Sequence, residues 1–379
     1  MAEEQNITPW EVSSAKINEE IDYEKVIRQF GCEHFTEEMR RKYGLDHHFF
    51  KRGIVFAHRD LGVILEHARK GGEIYLYTGR GPSSKSMHLG HSVPFLLCKS
   101  LQDTFGCKLV IQMTDDEKFI WKDITLEQAV QYGIENSKDI AAFGFDPKKT
   151  LIFSNVKYSH NFVGNTLKIE KTISLKDYNK VFGFTEASKV GQICFPSKQM
   201  SPCFPTSFPT FLDSNALCLI PASIDQDPYF RLARDIASNL KCPKPASIYT
   251  YFLPALQGVG EKMSASDNAS SIYLNDSAEE IARKIKKYAF SGGRQTVEEH
   301  RREGADLSVD VAFHYLRFFL EDDAELERYG REYAAGKILS GEMKSICAEV
   351  VQKFVLEFQK RRASITDELM AEFFSDTKK

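Results

Sequence analysis

The sequence predicts a doubly wound parallel α/β domain followed by a C-terminal all-helical domain. Three observations carry this: a strand–loop–helix–strand unit early in the chain, a later apolar strand that runs into a helix start, and a change to helical periodicity towards the end.

In chain order, residues 1–50 are polar and charged. They include a short extended piece, Thr8-Pro9-Trp10-Glu11-Val12, and Trp10, Tyr23 and Phe30 offer apolar surface, so this is an ordered extension rather than a free tail. Glu73-Ile74-Tyr75-Leu76-Tyr77 is a β-rich run and the first predicted strand. A Gly/Ser/Pro loop, Thr78 to Ser84, leads to a helix with Val93, Leu96, Leu97, Leu101 and Phe105 at three- and four-residue spacing. Pro94 is placed in its first turn, where proline is tolerated. Lys108-Leu109-Val110-Ile111-Gln112 forms the second strand, and Leu217-Cys218-Leu219-Ile220 a later one. The latter leads to Asp227-Pro228, read as a helix N-cap followed by Pro at the first helical position. Beyond Ser266, Ser277 to Glu280 and Thr296 to Glu299 have capping-box spacing, and Val309 to Phe374 is helical with short breaks.

The chain has 379 residues, enough for a large domain and a smaller one. Hydrophobic residues at 42% and charged residues at 27% are an ordinary globular balance. A net charge of −3 does not announce a nucleic-acid partner, although a local basic face fits inside a neutral total. Eight Cys without a C-x-x-C pair read as reduced, mostly buried thiols of a cytoplasmic protein. No apolar run approaches the ~20 residues of a membrane span, and the acidic start lacks the apolar core of a leader. No membrane or DNA partner is expected.

Two segments carry the chemistry. In the first, Gly79 and Gly81 let the backbone approach a ligand, Arg80 brings a fixed positive charge, and His88-Leu89-Gly90-His91 opens a helix whose N–H groups suit phosphate. In the second, Lys262-Met263-Ser264-Ala265-Ser266 follows the Gly-rich approach Gly258-Val259-Gly260 and can bring an ammonium and hydroxyls over a polyphosphate. Each segment alone also reads as an exposed Gly/Ser turn. His47-His48 is a tempting metal pair, but no Cys/His cluster of zinc spacing accompanies it, and no structural metal or tightly bound cofactor is predicted.

The ordered pair of segments, H-x-G-H and then K-M-S-x-S, resembles the signatures of class I aminoacyl-tRNA synthetases. Tyr77 to Ser84, Gln112 to Lys118, Ile224 to Phe230 and Ala289 to Arg294 are similar to the tryptophanyl-tRNA synthetases of the eukaryotic cytosolic type, from about Pro9 to the last helix. Ala265 replaces the signature's usual fourth-place lysine, a form common in eukaryotic-type members. The resemblance implies a Rossmann-type catalytic domain over 51–268 with an insertion at about 124–208, an N-terminal extension over 1–50, and a helical anticodon-binding domain over 269–379. It implies a homodimer pairing through the insertion, with ATP and Mg2+, L-tryptophan and its tRNA as substrates. Such enzymes form tryptophanyl-adenylate, release pyrophosphate, and pass tryptophan to the 3′ end of the tRNA.

For ATP the resemblance implies Arg80, Gly81, His88, Gly90, His91, Lys262, Met263, Ser264 and Ser266. Of these, His88, His91 and Lys262 are catalytic, with Lys262 on the departing phosphates. For tryptophan it implies Tyr77 and Gln112 at the indole N–H, and Glu117, Gln199 and Gln226 at the ammonium. Arg294 is the candidate anticodon contact. Structural alternatives stand beside these: Glu117 as a capping partner of Thr114, Tyr77 as a core aromatic, and Gln199 as a surface residue of a Pro-rich loop. Asp115, Asp116 and Asp227 are assigned to N-caps. A tyrosine-specific enzyme would want a Tyr–Asp pair at the phenol, a silent paralogue would not need His88, His91 and Lys262, and a nucleotidylyltransferase would lack the helical domain.

Overall fold

The apolar run ending at Tyr77 becomes the middle one of the five parallel strands of a seven-stranded sheet in the computed structural model, which describes residues 5–7, 12–13, 21–263 and 271–377. The strands are Glu33–His34 (β1), Val55–Arg59 (β2), Ile74–Arg80 (β3), Lys108–Met113 (β4), Thr150–Ser154 (β5), Leu217–Ser223 (β6) and Ala246–Thr250 (β7). Their order across the sheet is β1-β2-β7-β6-β3-β4-β5. From β7 to β5 all neighbours are parallel, and β2 and β1 extend the β7 edge antiparallel. The chain therefore winds outward from β3 in one direction and then returns to wind in the other. Such a doubly wound, Rossmann-type sheet opens a crevice at its strand carboxyl ends where the winding reverses, here between β3 and β6.

Strands buried on both faces need no alternation, so they read as continuous apolar runs. In β4, Leu109, Val110 and Ile111 are all fully buried, each worth about 1.5–3 kcal/mol. Gln112 is equally inaccessible, and a buried amide in such a strand demands partners. The helix Leu89–Phe105 covers the sheet with Leu89, Val93, Leu97 and Leu101. Pro94 lies beyond the first turn of this helix, not within it. Lacking an N–H, it leaves the Gly90 carbonyl without its helical donor at the mouth of the crevice.

Four short strands of this sheet, β1, β2, β5 and β7, were not anticipated. The expected extension contributes β1 to the sheet, and the stretch 124–208 contributes β5. Asp227 is the first residue of the helix Asp227–Ile236 rather than its cap, with Pro228 following. Its carboxylate instead accepts from Arg59 Nε at 2.7 Å and Tyr249 Oη at 2.5 Å. Asp115 and Asp116 likewise fall in the first turn of the helix Asp115–Trp121 behind the cap position of Thr114.

A small second sheet pairs Pro254–Ala255 with Gly258–Lys262, and Gly258–Lys262 with the N-terminal strand Val12–Ser13, which in turn pairs with Asn6–Ile7. The extension thus docks on the strand that leads into the second signature. Thr8 to Glu11, Trp10 among them, lie outside the described residues. From Ala278 the described chain is helical, up to the long helix Ser340–Ala363 and the last helix Asp367–Phe374. Ser277 caps its helix by accepting from the Glu280 N–H, and Thr296 and Glu299 form a full capping box. The helices share a core with the sheet: the Phe143 and Phe358 rings lie 5.2 Å apart. His48 bonds to the Phe318 carbonyl at 2.8 Å, while His47 Nδ1 accepts from the Phe49 N–H. Burial pushes both imidazole pKa values down, that of His47 to about 3, so the pair is a neutral structural joint. Among the described residues no helix is long and apolar enough to cross a membrane, and no group of three His, Cys, Asp or Glu is placed to hold a metal.

Candidate active site

At the carboxyl ends of β3, β4 and β6 lies a cleft of about 510 Å³. It brings together Tyr77, Arg80, Gly81, His88, Gly90, His91, Gln112, Glu117, Gln199, Gln226 and Met263, which the sequence spreads over almost two hundred positions.

One end is lined by a closed hydrogen-bond network. Tyr77 Oη lies 2.6 Å from Gln112 Oε1 and 2.7 Å from the Gln199 carbonyl. Burial pushes the Tyr77 pKa well above its usual value, so the phenol keeps its proton and donates it to one of these oxygens. Gln112 Nε2 donates to Asn155 Oδ1 at 2.8 Å and to the Lys198 carbonyl at 3.1 Å. Gln112 lies within its strand, as the sequence predicts, one residue before its end. Gln199 belongs to the helix Val190–Met200 rather than to a Pro-rich loop, and its Nε2 donates to Gln226 Oε1 at 3.1 Å. Glu117 does not cap Thr114 through the backbone. Its Oε2 accepts from Thr114 Oγ1 at 3.1 Å and its Oε1 from Lys118 Nζ at 2.8 Å. The Phe230 ring stands edge-on to Tyr77 with centroids 6.0 Å apart. This end therefore offers oxygen acceptors beside aromatic surface.

The other end is cationic. The Arg80 guanidinium is buried, donates from Nε to Asn136 Oδ1 at 3.0 Å, and places Nη1 2.7 Å from His91 Nε2. Its Nη2 is buried without a hydrogen-bond partner among the described residues. Burial lowers its pKa to about 10, against the pull of Glu117 and Asp139, so it stays charged at neutral pH. A buried cation with an unanswered donor is suited to an anionic ligand. Behind it, Asn136 Nδ2 donates to the Ser84 carbonyl at 2.9 Å, bracing loop and guanidinium together.

The helix start is less open than expected. The Leu89 N–H goes to the Ile272 carbonyl, the His91 N–H to the His88 carbonyl, and the His88 N–H faces His91 Nδ1 at 3.2 Å. The cause is a β-bridge between His88 and Tyr273, which joins the flanks of the two signatures. The two imidazoles stack with centroids 3.5 Å apart. A Cβ on Gly90 would lie 3.1 Å from the His88 ring, so this glycine makes room for the histidine itself. A Cβ on Gly81 would meet Lys118 Cε at 2.2 Å and Glu117 Oε2 at 2.8 Å, so Gly81 is what lets that pair reach over the loop.

Lys262 ends the strand Gly258–Lys262, its side chain lying outside the described residues, as do Ser264 and Ser266. Arg294 is away from the cleft and exposed, paired at 3.5 Å with Glu303. Sequence reasoning missed Lys118 and Asn136. Lys118 stands in a motif already quoted, and the signal that singles it out is its neighbour Glu117. Asn136 gave none, because one polar residue on an amphipathic helix reads as surface.

A family model described as tRNA synthetases class I (W and Y) matches residues 205–356. The chain is 54% identical over 383 residues to the tryptophan--tRNA ligase of Encephalitozoon cuniculi (strain GB-M1), covering 99% of both. It is 49% identical over 389 residues to the cytoplasmic tryptophan--tRNA ligase of Homo sapiens, covering 100% of this chain and 82% of that one. The crystal structure of a tryptophanyl-tRNA synthetase from Encephalitozoon cuniculi bound to tryptophan superposes with a TM-score of 0.90 at 52% identity, over 96% of this chain and 100% of that one. Similarity at this level over whole chains, on the same fold, places the protein among the class I tryptophanyl-tRNA synthetases.

Proposed function

We infer that the protein activates L-tryptophan with ATP, releasing pyrophosphate, and transfers the tryptophan to the 3′ end of its tRNA. The observation that carries this reading is one cleft with the buried Tyr77–Gln112 pair at one end and the buried Arg80 cation beside His88 and His91 at the other. The substrate carboxylate attacks the α-phosphate, a carboxyl–phosphate bond forms, and the bond to pyrophosphate breaks. No protein nucleophile is needed, so the protein's work is alignment and charge stabilisation.

Tyr77 Oη and Gln112 Oε1 accept from the indole N–H, because leaving that buried donor unpaired costs ~1–3 kcal/mol. Glu117, Gln199 and Gln226 take the ammonium. Arg80 Nη2 meets a phosphate oxygen, His91 lies near the α-phosphate with His88 stacked on it, and Gly81, Gly90 and Met263 give the nucleotide its space. Lys262 answers charge on the departing pyrophosphate, with Ser264 and Ser266 as further donors. Mg2+ enters on the phosphates of ATP, and the protein holds no structural metal.

The domain reading is part of the same proposal: an extension over 1–50, a catalytic domain over 51–268 and an anticodon-binding domain over 269–379, with Arg294 as a tRNA contact. The homodimer is supported by exposed apolar side chains on the helix Asn155–Thr172, where Val156, Val163 and Leu167 share a face. A cytoplasmic location is supported by the name of the human relative.

The test is amino-acid-dependent exchange of pyrophosphate into ATP across a panel of amino acids. Tryptophan should support it at least about a hundredfold better than tyrosine, since a site built around one donor rejects ligands that mismatch it. The reverse ranking would refute the reading.

A further inference from the structure

Behind Gln112 runs a chain of buried polar side chains that the function above does not use. Asp116 Oδ2 accepts from Lys198 Nζ at 2.8 Å, and its Oδ1 accepts from the Glu117 N–H at 2.8 Å and from Asn155 Nδ2 at 2.9 Å. Asn155 Oδ1 in turn accepts from Gln112 Nε2. Gln112 and Asn155 are essentially inaccessible, so neither amide can turn to water for a substitute partner. A carboxylate offers only acceptors. Asn155 must therefore point its NH2 at Asp116 and its oxygen at Gln112, which obliges Gln112 to turn its NH2 inward and its oxygen to the cleft. The second acceptor on Gln112 Nε2, the Lys198 carbonyl, pulls the same way.

We propose that Asp116 and Asn155 are positioning residues that determine substrate specificity, because their fixed hydrogen-bond polarity makes Gln112 an acceptor and thus selects a ligand whose ring carries an N–H. The proposal rests on the assignment of Gln112 to the indole. An amide has nearly the same shape either way round and its orientation is set by its partners alone. Without the relay, only the Lys198 carbonyl would hold Gln112 Nε2 inward, and the amide would turn an NH2 towards the substrate more readily, where it would repel an indole donor.

The experiment compares kcat/KM in pyrophosphate exchange for tryptophan and for the analogue with a benzothiophene ring, in which sulfur replaces the N–H. The ratio of the two constants does not depend on how much enzyme is folded. In the unmodified protein it should favour tryptophan by at least about fivefold, the lower end expected for one unpaired buried donor or acceptor. In Asn155→Leu the ratio should fall at least about twofold towards unity, with the KM for ATP unchanged, whereas Asn155→Asp, in which a proton shared with Asp116 supplies the lost donor and an oxygen still faces Gln112 Nε2, should keep most of the preference. Gln112→Leu separates the two layers. If it abolishes the preference while Asn155→Leu retains it, the relay is wrong; if it too retains the preference, the assignment of Gln112 to the indole falls and the relay with it.

Discussion

The two ends of the cleft are built on opposite principles. At the Tyr77–Gln112 end, both donors of the Gln112 amide and the Tyr77 phenol already have protein partners within 3.1 Å. At the Arg80 end, the guanidinium keeps a buried donor without a partner among the described residues, and burial lowers its pKa. The first arrangement stores no strain and presents one fixed pattern, which is what discrimination requires. The second holds a charge in reserve, which an anionic ligand would answer. Preorganised charge is worth most where it meets charge that develops during reaction.

If this contrast is right, substitutions at the two ends should separate cleanly. The largest effect belongs to the loop cation: Lys262→Ala should lower kcat on the order of a hundredfold or more while leaving the KM for tryptophan within about twofold. An equal loss in tryptophan binding would contradict a transition-state role. Next, Arg80→Gln should raise the KM for ATP at least about tenfold, in line with the loss of a charge-assisted bond. In differential scanning calorimetry it should also lose much of the rise in Tm that ATP produces. A variant that responds to ATP like the unmodified protein would show that Arg80 carries no phosphate.

At the other end, Gln112→Leu should raise the KM for tryptophan about tenfold with the KM for ATP unmoved. The smallest effect concerns the helix Leu126–Ala141, which braces Arg80 through Asn136. On it, burial raises the Asp139 pKa to about 6, against the pull of Arg362, which donates to it at 2.8 Å. A carboxyl whose folded pKa lies above its unfolded value binds more protons when folded, so its contribution to stability falls as pH rises from about 4 to about 6. Asp139→Asn should therefore lose less stability than the unmodified protein over that window. Parallel curves of Tm against pH would remove Asp139 from the balance.

How much of this was legible differs by element. β3 and β4 were readable because strands buried on both faces leave uninterrupted apolar text, as Ile74–Tyr77 and Leu109–Ile111 do. The edge strands were not. Glu33–His34 is exposed and gains its identity only from pairing with Val55–Arg59. The three aspartates assigned to N-caps have cap-like spacing, yet the structure sends them elsewhere, Asp227 to Arg59 and Tyr249, Asp116 to Lys198 and Asn155, and Asp115 to the Ser154 hydroxyl and the Val156 N–H. Spacing shows which helix a residue opens; it does not show which distant cation or amide competes for its carboxylate.

The doubly wound core and the glycine-bearing approaches at Gly79, Gly81 and Gly90 were legible in the sequence itself, because each depends on local pattern: an uninterrupted apolar run for a buried strand, glycine where the backbone or a neighbour comes close. Tertiary structure alone decided that the two segments are bridged between His88 and Tyr273, that Gly81 makes way for Lys118, and that Gln112 faces the cleft with its oxygen. Each of those outcomes depends on partners far apart in the chain. Hydrogen-bond polarity and close packing are properties of neighbours in space, which the order of residues does not contain.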